Sequence, residues 1–249
     1  GHNNQTKYSS PVQVGSDTTW SSGELLRMAT GAVKTDGTLW SWGYGNWGML
    51  GQNQSNQPYS SPIQIPGTNW SQTAGGHLNC FGIKTDGTLY AWGNNHHGKL
   101  GLNQNQNDSG FSRSSPAQIP GTTWSIVSAL PSGGGAVKTD GTLWGWGLNN
   151  NGQLAQNDVV QRSSPAQIPG TTWNNVFSGV GIFGATKTDG TLWMWGQGAF
   201  GGLGQGNQGT NRSSPVQVPG TTWSRVRSGD VTSFAVKTDG TLWSWGYNN

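Results

Sequence analysis

Few side chains in this chain are equipped to move protons or hold a metal, and their spacing decides what they could do. Paired carboxylates would suit general acid/base hydrolysis, in which one carboxyl protonates a leaving group and another activates water. Of the ten acids, Asp36, Asp86, Asp140, Asp189 and Asp239 all stand in the same K-T-D-G tetrapeptide, where Asp-Gly makes a tight turn. The others, Asp17, Glu24, Asp108, Asp158 and Asp230, show no paired spacing. A glycosidase is therefore not expected. His96 and His97 offer two imidazoles but no Cys or acidic companion at ligand spacing, so no metal site is expected. Cys80 stands alone, which excludes an internal disulfide framework. Gly133-Gly134-Gly135 lacks the Lys-Ser/Thr of a phosphate-binding loop. The expectation is a protein without catalytic residues or cofactor, and not an enzyme.

The elements that carry these groups repeat five times. Each copy reads S-S-P-x-Q-[IV]-P-G-T-x-W, an irregular stretch, then A-V-K-T-D-G-T-L-W-x-W-G and a loop. Its lysines, Lys34, Lys84, Lys138, Lys187 and Lys237, fall 50, 54, 49 and 50 residues apart. A fixed period of this size marks a propeller or solenoid, whose units bury their apolar faces against neighbours. Asp-Gly between alternating runs signals a type I′ hairpin. Pro-Gly marks a second tight turn, and Pro11, Pro62, Pro116, Pro165 and Pro215 suit strand starts or edges. Four short antiparallel strands per unit follow; in the last copy they cover 215–218, 223–227, 233–238 and 241–245.

Alternation along T-L-W-x-W sends Trp40 and Trp42 to one face and Leu39 and Ser41 to the other. Three aromatic positions per copy absorb fourteen of the 15 Trp; Tyr90 stands in one slot, and only Trp47 lies outside the frame. Tryptophan richness is thus structural, and it argues for a packed core although only 9% of residues are charged. A net charge of +3 with scattered arginines gives no footprint for a phosphate backbone, so nucleic acid is not an expected partner. No long apolar run predicts a membrane span. A surface rich in Asn, Gln, Ser and Thr suits a secreted or particle-borne protein.

K-T-D-G-T-L-W-x-W-G followed by G-x-L-G, as at Gly48-Met49-Leu50-Gly51 and Gly98-Lys99-Leu100-Gly101, resembles the repeat of the regulator of chromosome condensation family. The resemblance covers essentially the whole chain and implies an all-β fold, a β-propeller. Family propellers commonly have seven blades, so five repeats are a departure. The reading here is a single domain over 1–249, five four-stranded antiparallel blades in a closed ring. Ser10 to Val14 would complete the last blade.

Alternating strand direction puts the Pro-Gly and Asp-Gly turns on one end of the ring, nearly invariant between copies. On the other end, identity is released while length is held. Loops on a rigid scaffold commonly carry binding, so that end is the expected recognition surface, with Glu24, Arg27, Trp47, His77, His96, His97, Phe111, Phe177, Phe183, Phe200, Arg227 and Asp230 as candidate contacts. Drift in unconstrained turns is the competing explanation. Gly75-Gly76-His77 approaches, in this copy alone, a Gly-x-x-His whose His looks structural in the family. The expected function is a non-enzymatic scaffold for a protein partner on a cell or particle surface. Alternatives are a lectin-like carbohydrate binder and, by family resemblance alone, nucleotide exchange on a small GTPase or ultraviolet sensing.

Overall fold

The computed structural model describes residues 1–249 except 5, 26–28, 105–111, 208 and 249. Among the described residues, nineteen strands form five antiparallel sheets. The first holds β1 (Trp20–Leu25), β2 (Ala29–Lys34), β3 (Leu39–Gly43) and β4 (Tyr59–Ile65). The second holds β5 (Trp70–Gly75), β6 (Asn79–Lys84), β7 (Leu89–Gly93) and β8 (Arg113–Gln118), and the third β9 (Trp124–Leu130), β10 (Gly133–Lys138), β11 (Leu143–Gly147) and β12 (Arg162–Ile168). The fourth holds β13 (Trp173–Ser178), β14 (Ile182–Lys187), β15 (Leu192–Gly196) and β16 (Arg212–Val218), and the fifth only β17 (Trp223–Ser228), β18 (Thr232–Lys237) and β19 (Leu242–Gly246). This is the all-β, five-bladed architecture read from the repeats. Each full blade takes its outer strand from the S-S-P-x-Q segment of the next copy.

Alternation buries Leu39, Leu89, Leu143 and Leu192 completely while the two large aromatic residues of the same strand, Tyr90 and Trp92 in the second blade and two tryptophans in the others, turn toward the Trp that opens the blade. Trp20, for example, meets Trp40 at 6.3 Å and Trp42 at 6.0 Å between ring centroids. The repeat lysine lies over two of these rings: Lys34 Nζ is 4.8 Å from the Trp20 centroid and 4.3 Å from that of Trp40. The other four blades repeat this with Lys84, Lys138, Lys187 and Lys237. A cation over an indole face is attracted by the ring quadrupole, which explains a lysine at an otherwise apolar alternation. The hairpin turn is fixed by Asp36, whose carboxylate accepts from the amide and hydroxyl of Thr38 at 2.9 and 2.7 Å; that hydroxyl accepts from Trp40 Nε1 at 2.8 Å.

Two seams join successive blades. At the turn end, the amide of the opening Trp donates to the Asp-Gly turn of the preceding blade: Trp70 to Gly37, Trp124 to Gly87, Trp173 to Gly141 and Trp223 to Gly190, at 2.9 to 3.0 Å. A Cβ at Gly37, whose φ is +78°, would lie 3.1 Å from the Asn69 nitrogen, so this approach needs glycine twice over. At the loop end, the last Trp of each blade donates its indole N–H to the variable residue of G-x-L-G in the blade before: Trp92 to Met49, Trp146 to Lys99, Trp195 to Gln153 and Trp245 to Gly202, at 3.0 to 3.1 Å.

The fourth strand expected for the last blade is not part of its sheet. Residues 11–14 belong to no strand; the N-terminal segment instead reaches the first blade, where the Asn3 amide donates to Ser60 at 2.9 Å. The outer edge of β19 is consequently open. Leu242 is 70% exposed, against 0% for Leu192, and Trp243 is 49% exposed.

Two tests follow from this architecture. Leu192→Ala is expected to cost about 2 to 5 kcal/mol in denaturant unfolding, as for a fully buried leucine, and Leu242→Ala no more than about 0.5 kcal/mol. Equal losses would show that the last blade acquires its fourth strand in solution. The threonine hydroxyls and amides hold the carboxyls of Asp36, Asp86, Asp140, Asp189 and Asp239 below their ordinary value of 3.8. A lowered folded-state value adds stability above the unfolded pKa, and that stability disappears as pH falls through the folded value. Thermal melts are therefore expected to be level from about pH 7 to 5 and to drop below about pH 4.

Candidate loop-face interaction site

The first strands of the blades converge on an axis. Glu24 of β1, Gln72 of β5, Ile126 of β9, Asn175 of β13 and Arg227 of β17 line one cavity of about 260 Å³. Desolvation there raises the Glu24 carboxyl above its ordinary value, and the Arg227 guanidinium opposes that rise. These two side chains therefore belong to the channel wall, not to the outer face.

Seven residues after each opening Trp, the chain turns at the loop end. Structurally equivalent positions there meet at the mouth of the channel: His77, Pro131, Val180 and Asp230 border a cavity of about 530 Å³. Asp230 is exposed and His77 half-buried. Glycine lets the chain pass close at this rim, since a Cβ at Gly179 would lie 2.0 Å from the Gly229 carbonyl oxygen. Arg27 and Phe111 lie outside the described residues.

The outer part of the face is built by single turns of 3₁₀ helix at Asn46–Gly48, His96–Gly98 and Ala199–Gly201. The middle residue of each is large and left-handed: Trp47 at φ 60°, His97 at φ 63° and Phe200 at φ 57°. Left-handed backbone costs an L-residue about 1 to 2 kcal/mol, and after Trp47 and His97 the glycine that follows is wedged against the next blade. A Cβ at Gly48 would lie 2.4 Å from Ser114 Cα and one at Gly98 2.7 Å from Ser163 Cα. Trp47 is 43% and Phe200 52% exposed. Phe200 packs edge-on to Tyr247 at 5.0 Å, which extends the aromatic patch to a residue that sequence reasoning had not selected. His96 is exposed and meets the half-buried His97 ring at 3.9 Å. Burial, then the neighbouring His96, lowers the pKa of His97, whose Nδ1 lies 3.2 Å from Gln161 Oε1. No group of three or more metal-ligating side chains occurs among the described residues.

Phe177 and Phe183 are not surface residues. They are 3% and 0% exposed, because each ring fills the space of a missing side chain. A Cβ at Gly184 would lie 2.2 Å from Phe177 Cζ, and one at Gly135 2.0 Å from Phe183 Cζ. Phe183 also stacks on Trp195 at 5.1 Å and 25°. The variable segments SALPSGGG and FSGVGIFG thus differ partly because glycine in one blade makes room for phenylalanine in the next. Some of the variability is core complementarity, neither recognition nor drift.

A family model, the Regulator of chromosome condensation (RCC1) repeat, matches residues 36–83, 86–129, 140–180 and 189–236. The chain belongs to this family. RCC1 propellers are also among the solved structures it resembles. Human WBSCR16 matches with a TM-score of 0.78 and 21% identity over 88% of this chain and 58% of its own. Yeast RCC1 (Prp20), solved bound to Kap60, matches with a TM-score of 0.76 and 20% identity over 88% and 54%. Prp20p of Saccharomyces cerevisiae, described with its binding to Gsp1p and histones, matches with 0.75 and 19% over 88% and 56%. At these identities the likeness is one of fold. The present RCC1-repeat chain spans between 54 and 58% of the length of those structures. No protein of curated function matches it in sequence.

The two kinds of aromatic are separable by experiment. Trp47→Gly and Phe200→Gly are expected to leave unfolding free energy within about 0.5 kcal/mol of the parent, in the range of surface changes, because relief of left-handed strain offsets lost contact. Phe183→Ala is expected to cost about 3 to 5 kcal/mol. Loss of stability in Trp47→Gly as large as in Phe183→Ala would place that indole in the framework.

Proposed function

We propose that this chain is a binding scaffold that recognises a protein partner through the loop face of the propeller, without catalysis. The observation that carries the reading is the trio Trp47, His97 and Phe200: large side chains, exposed or half-exposed, held in left-handed backbone on one face. Strain of this kind persists where surrounding structure over-determines it, and it clusters at binding sites. Exposed Trp and Tyr are also the residue types enriched at interface hot spots. The channel mouth with His77, Val180 and Asp230 adds a mixed apolar and charged centre to the same face. Family membership supports the class of function, since the yeast relatives are described with the proteins Kap60, Gsp1p and histones. Nucleotide exchange would rest on likeness of fold alone, which does not carry function.

The reading is tested by recovering the protein from its source under gentle conditions and identifying stoichiometric partners by mass spectrometry. Combined replacement Trp47→Asn, Phe200→Asn and Tyr247→Ser is expected to weaken the recovered partner at least tenfold with the fold intact. Unchanged affinity in that variant would overturn the proposal.

A further inference from the structure

The joint that the four inner pairs of blades share stands half built at the first blade and half built at the last. In each inner joint a leucine of one blade's third strand packs with the last apolar residue of its outer strand and with two tryptophans of the next blade. Leu39 packs in this way with Ile65, Trp70 and Trp92, Leu89 with Ile119, Trp124 and Trp146, and Leu143 and Leu192 likewise. The last blade carries the leucine side of such a joint uncovered. Leu242 is 70% exposed, and Phe234 is 48% exposed where Phe81, at the same place in β6, is 0%. A Cβ added at Gly240 would meet nothing within 4 Å, whereas one at Gly190 would lie 3.0 Å from the Thr222 nitrogen of the next blade.

The first blade carries the other side, already in register. Gly1 stands to Trp42 as Gly51 stands to Trp92: a Cβ at Gly1 would lie 2.9 Å from Trp42 Nε1 and 3.0 Å from Val14 Cγ1, and one at Gly51 3.2 Å from Trp92 Nε1 and 3.3 Å from Ile65 Cδ1. The Asn3 amide donates to Ser60 as those of Asn53, Asn103 and Asn157 donate to Ser114, Ser163 and Ser213, and all four asparagines are left-handed, with φ between 55 and 57°. Residues 8–14, Y-S-S-P-V-Q-V, repeat the Y-S-S-P-I-Q-I of β4 but belong to no strand. They are thus seated where the outer strand of a preceding blade belongs. A cavity of about 440 Å³ opens beside them, lined in part by Val14, Trp20, Lys34 and Trp40, the side that encloses the leucine in the inner joints. Trp20 and Trp42 are only half-buried, while Trp70 and Trp92 are each 2% exposed.

We propose that a second copy of this chain docks here head to tail, the open edge of its β19 taking up residues 8–14 as a fourth strand and its Leu242 entering the cavity beside Trp20. The register follows from β3 and β4, where Leu39, Trp40, Ser41 and Gly43 stand opposite Ile65, Gln64, Ile63 and Tyr59. Leu242 would face Val14, Trp243 would face Gln13, Ser244 would face Val12 and Gly246 would face Tyr8. An open strand edge is a template for another chain, and the sequence and seating of residues 8–14 specify which. The chain's own segment does not pair with that edge, and bringing it there would alter four joints whose seams are already bonded. A second copy requires no such change. The two surfaces differ, so the contact is heterologous and extends into open chains or closes into a larger ring. It uses the first and last blades rather than the loop face, and does not rest on the function proposed for that face.

The test is analytical ultracentrifugation of the whole chain from micromolar to millimolar concentration, over which the average mass is expected to rise from one chain to two or more. In dilute solution the last blade stays open, so the small cost expected for Leu242→Ala is unaffected. Leu242→Asp and, separately, Val14→Asp are each expected to stay monomeric; Val12→Asp serves should Val14→Asp not fold. An equal mixture of the Leu242→Asp chain, whose first blade is intact, and the Val14→Asp chain, whose last blade is intact, is expected to form a complex of two chains and nothing larger. A parent chain that is monomeric throughout overturns the proposal. Slow hydrogen exchange at the outward amides of β19 in that monomer would identify the chain's own segment as the fourth strand, and fast exchange an edge that takes none. Association of either variant alone, or a mixture that stays monomeric, overturns it equally.

Discussion

The joint between blades is the constraint on which the rest depends. One tryptophan amide donates to the glycine turn of the preceding blade, and another tryptophan's indole donates to its loop. Between these two seams lies the apolar layer that no single blade could bury alone. The hydrogen bonds are individually modest, of order 1 kcal/mol each, but they fix register. A blade displaced along its neighbour would strand a buried N–H at both ends. This is why the Asp-Gly end varies so little between copies: its geometry is shared with the next blade, so a change in one turn is a change in two.

The opposite end is held differently. There the loop is pinned at its glycines and at the buried leucine of G-x-L-G, which leaves the intervening side chain free. The framework sets where Trp47, His97 and Phe200 stand and imposes the left-handed backbone, while their identity is not needed for the joint. The framework and the face proposed for recognition are thus separated along the axis of the molecule.

Much of this was legible in the sequence. The Asp-Gly and Pro-Gly turns gave the hairpins, and the period gave five blades whose strands fall where alternation puts them. Trp47 was recognisable as the tryptophan outside the frame, and Phe200 as an exposed loop aromatic. Phe177 and Phe183 were misplaced because their burial depends on Gly184 and Gly135, and a gap of this kind is set by a neighbour in space that no local pattern reveals. Glu24 and Arg227 were assigned to the right end of the strands, yet their place inside the channel follows only from the convergence of the first strands. The role of the repeat lysine, over two indoles, was likewise hidden, since alternation tells which side a residue takes but not what it meets there. The last blade's missing strand shows the same limit: residues 9–14 repeat S-S-P-V-Q-V of residues 213–218, but pairing also requires that the segment reach the far edge.

The most direct measurement of the central claim, that recognition belongs to the loop end of a rigidly jointed propeller, is amide hydrogen exchange on the complex with the partner recovered from the source. New protection is expected in the loops around 44–48, 94–98 and 197–201 and at the channel mouth near 76–77 and 229–230, with the strand amides unchanged. Protection confined to the Pro-Gly and Asp-Gly turns would contradict it.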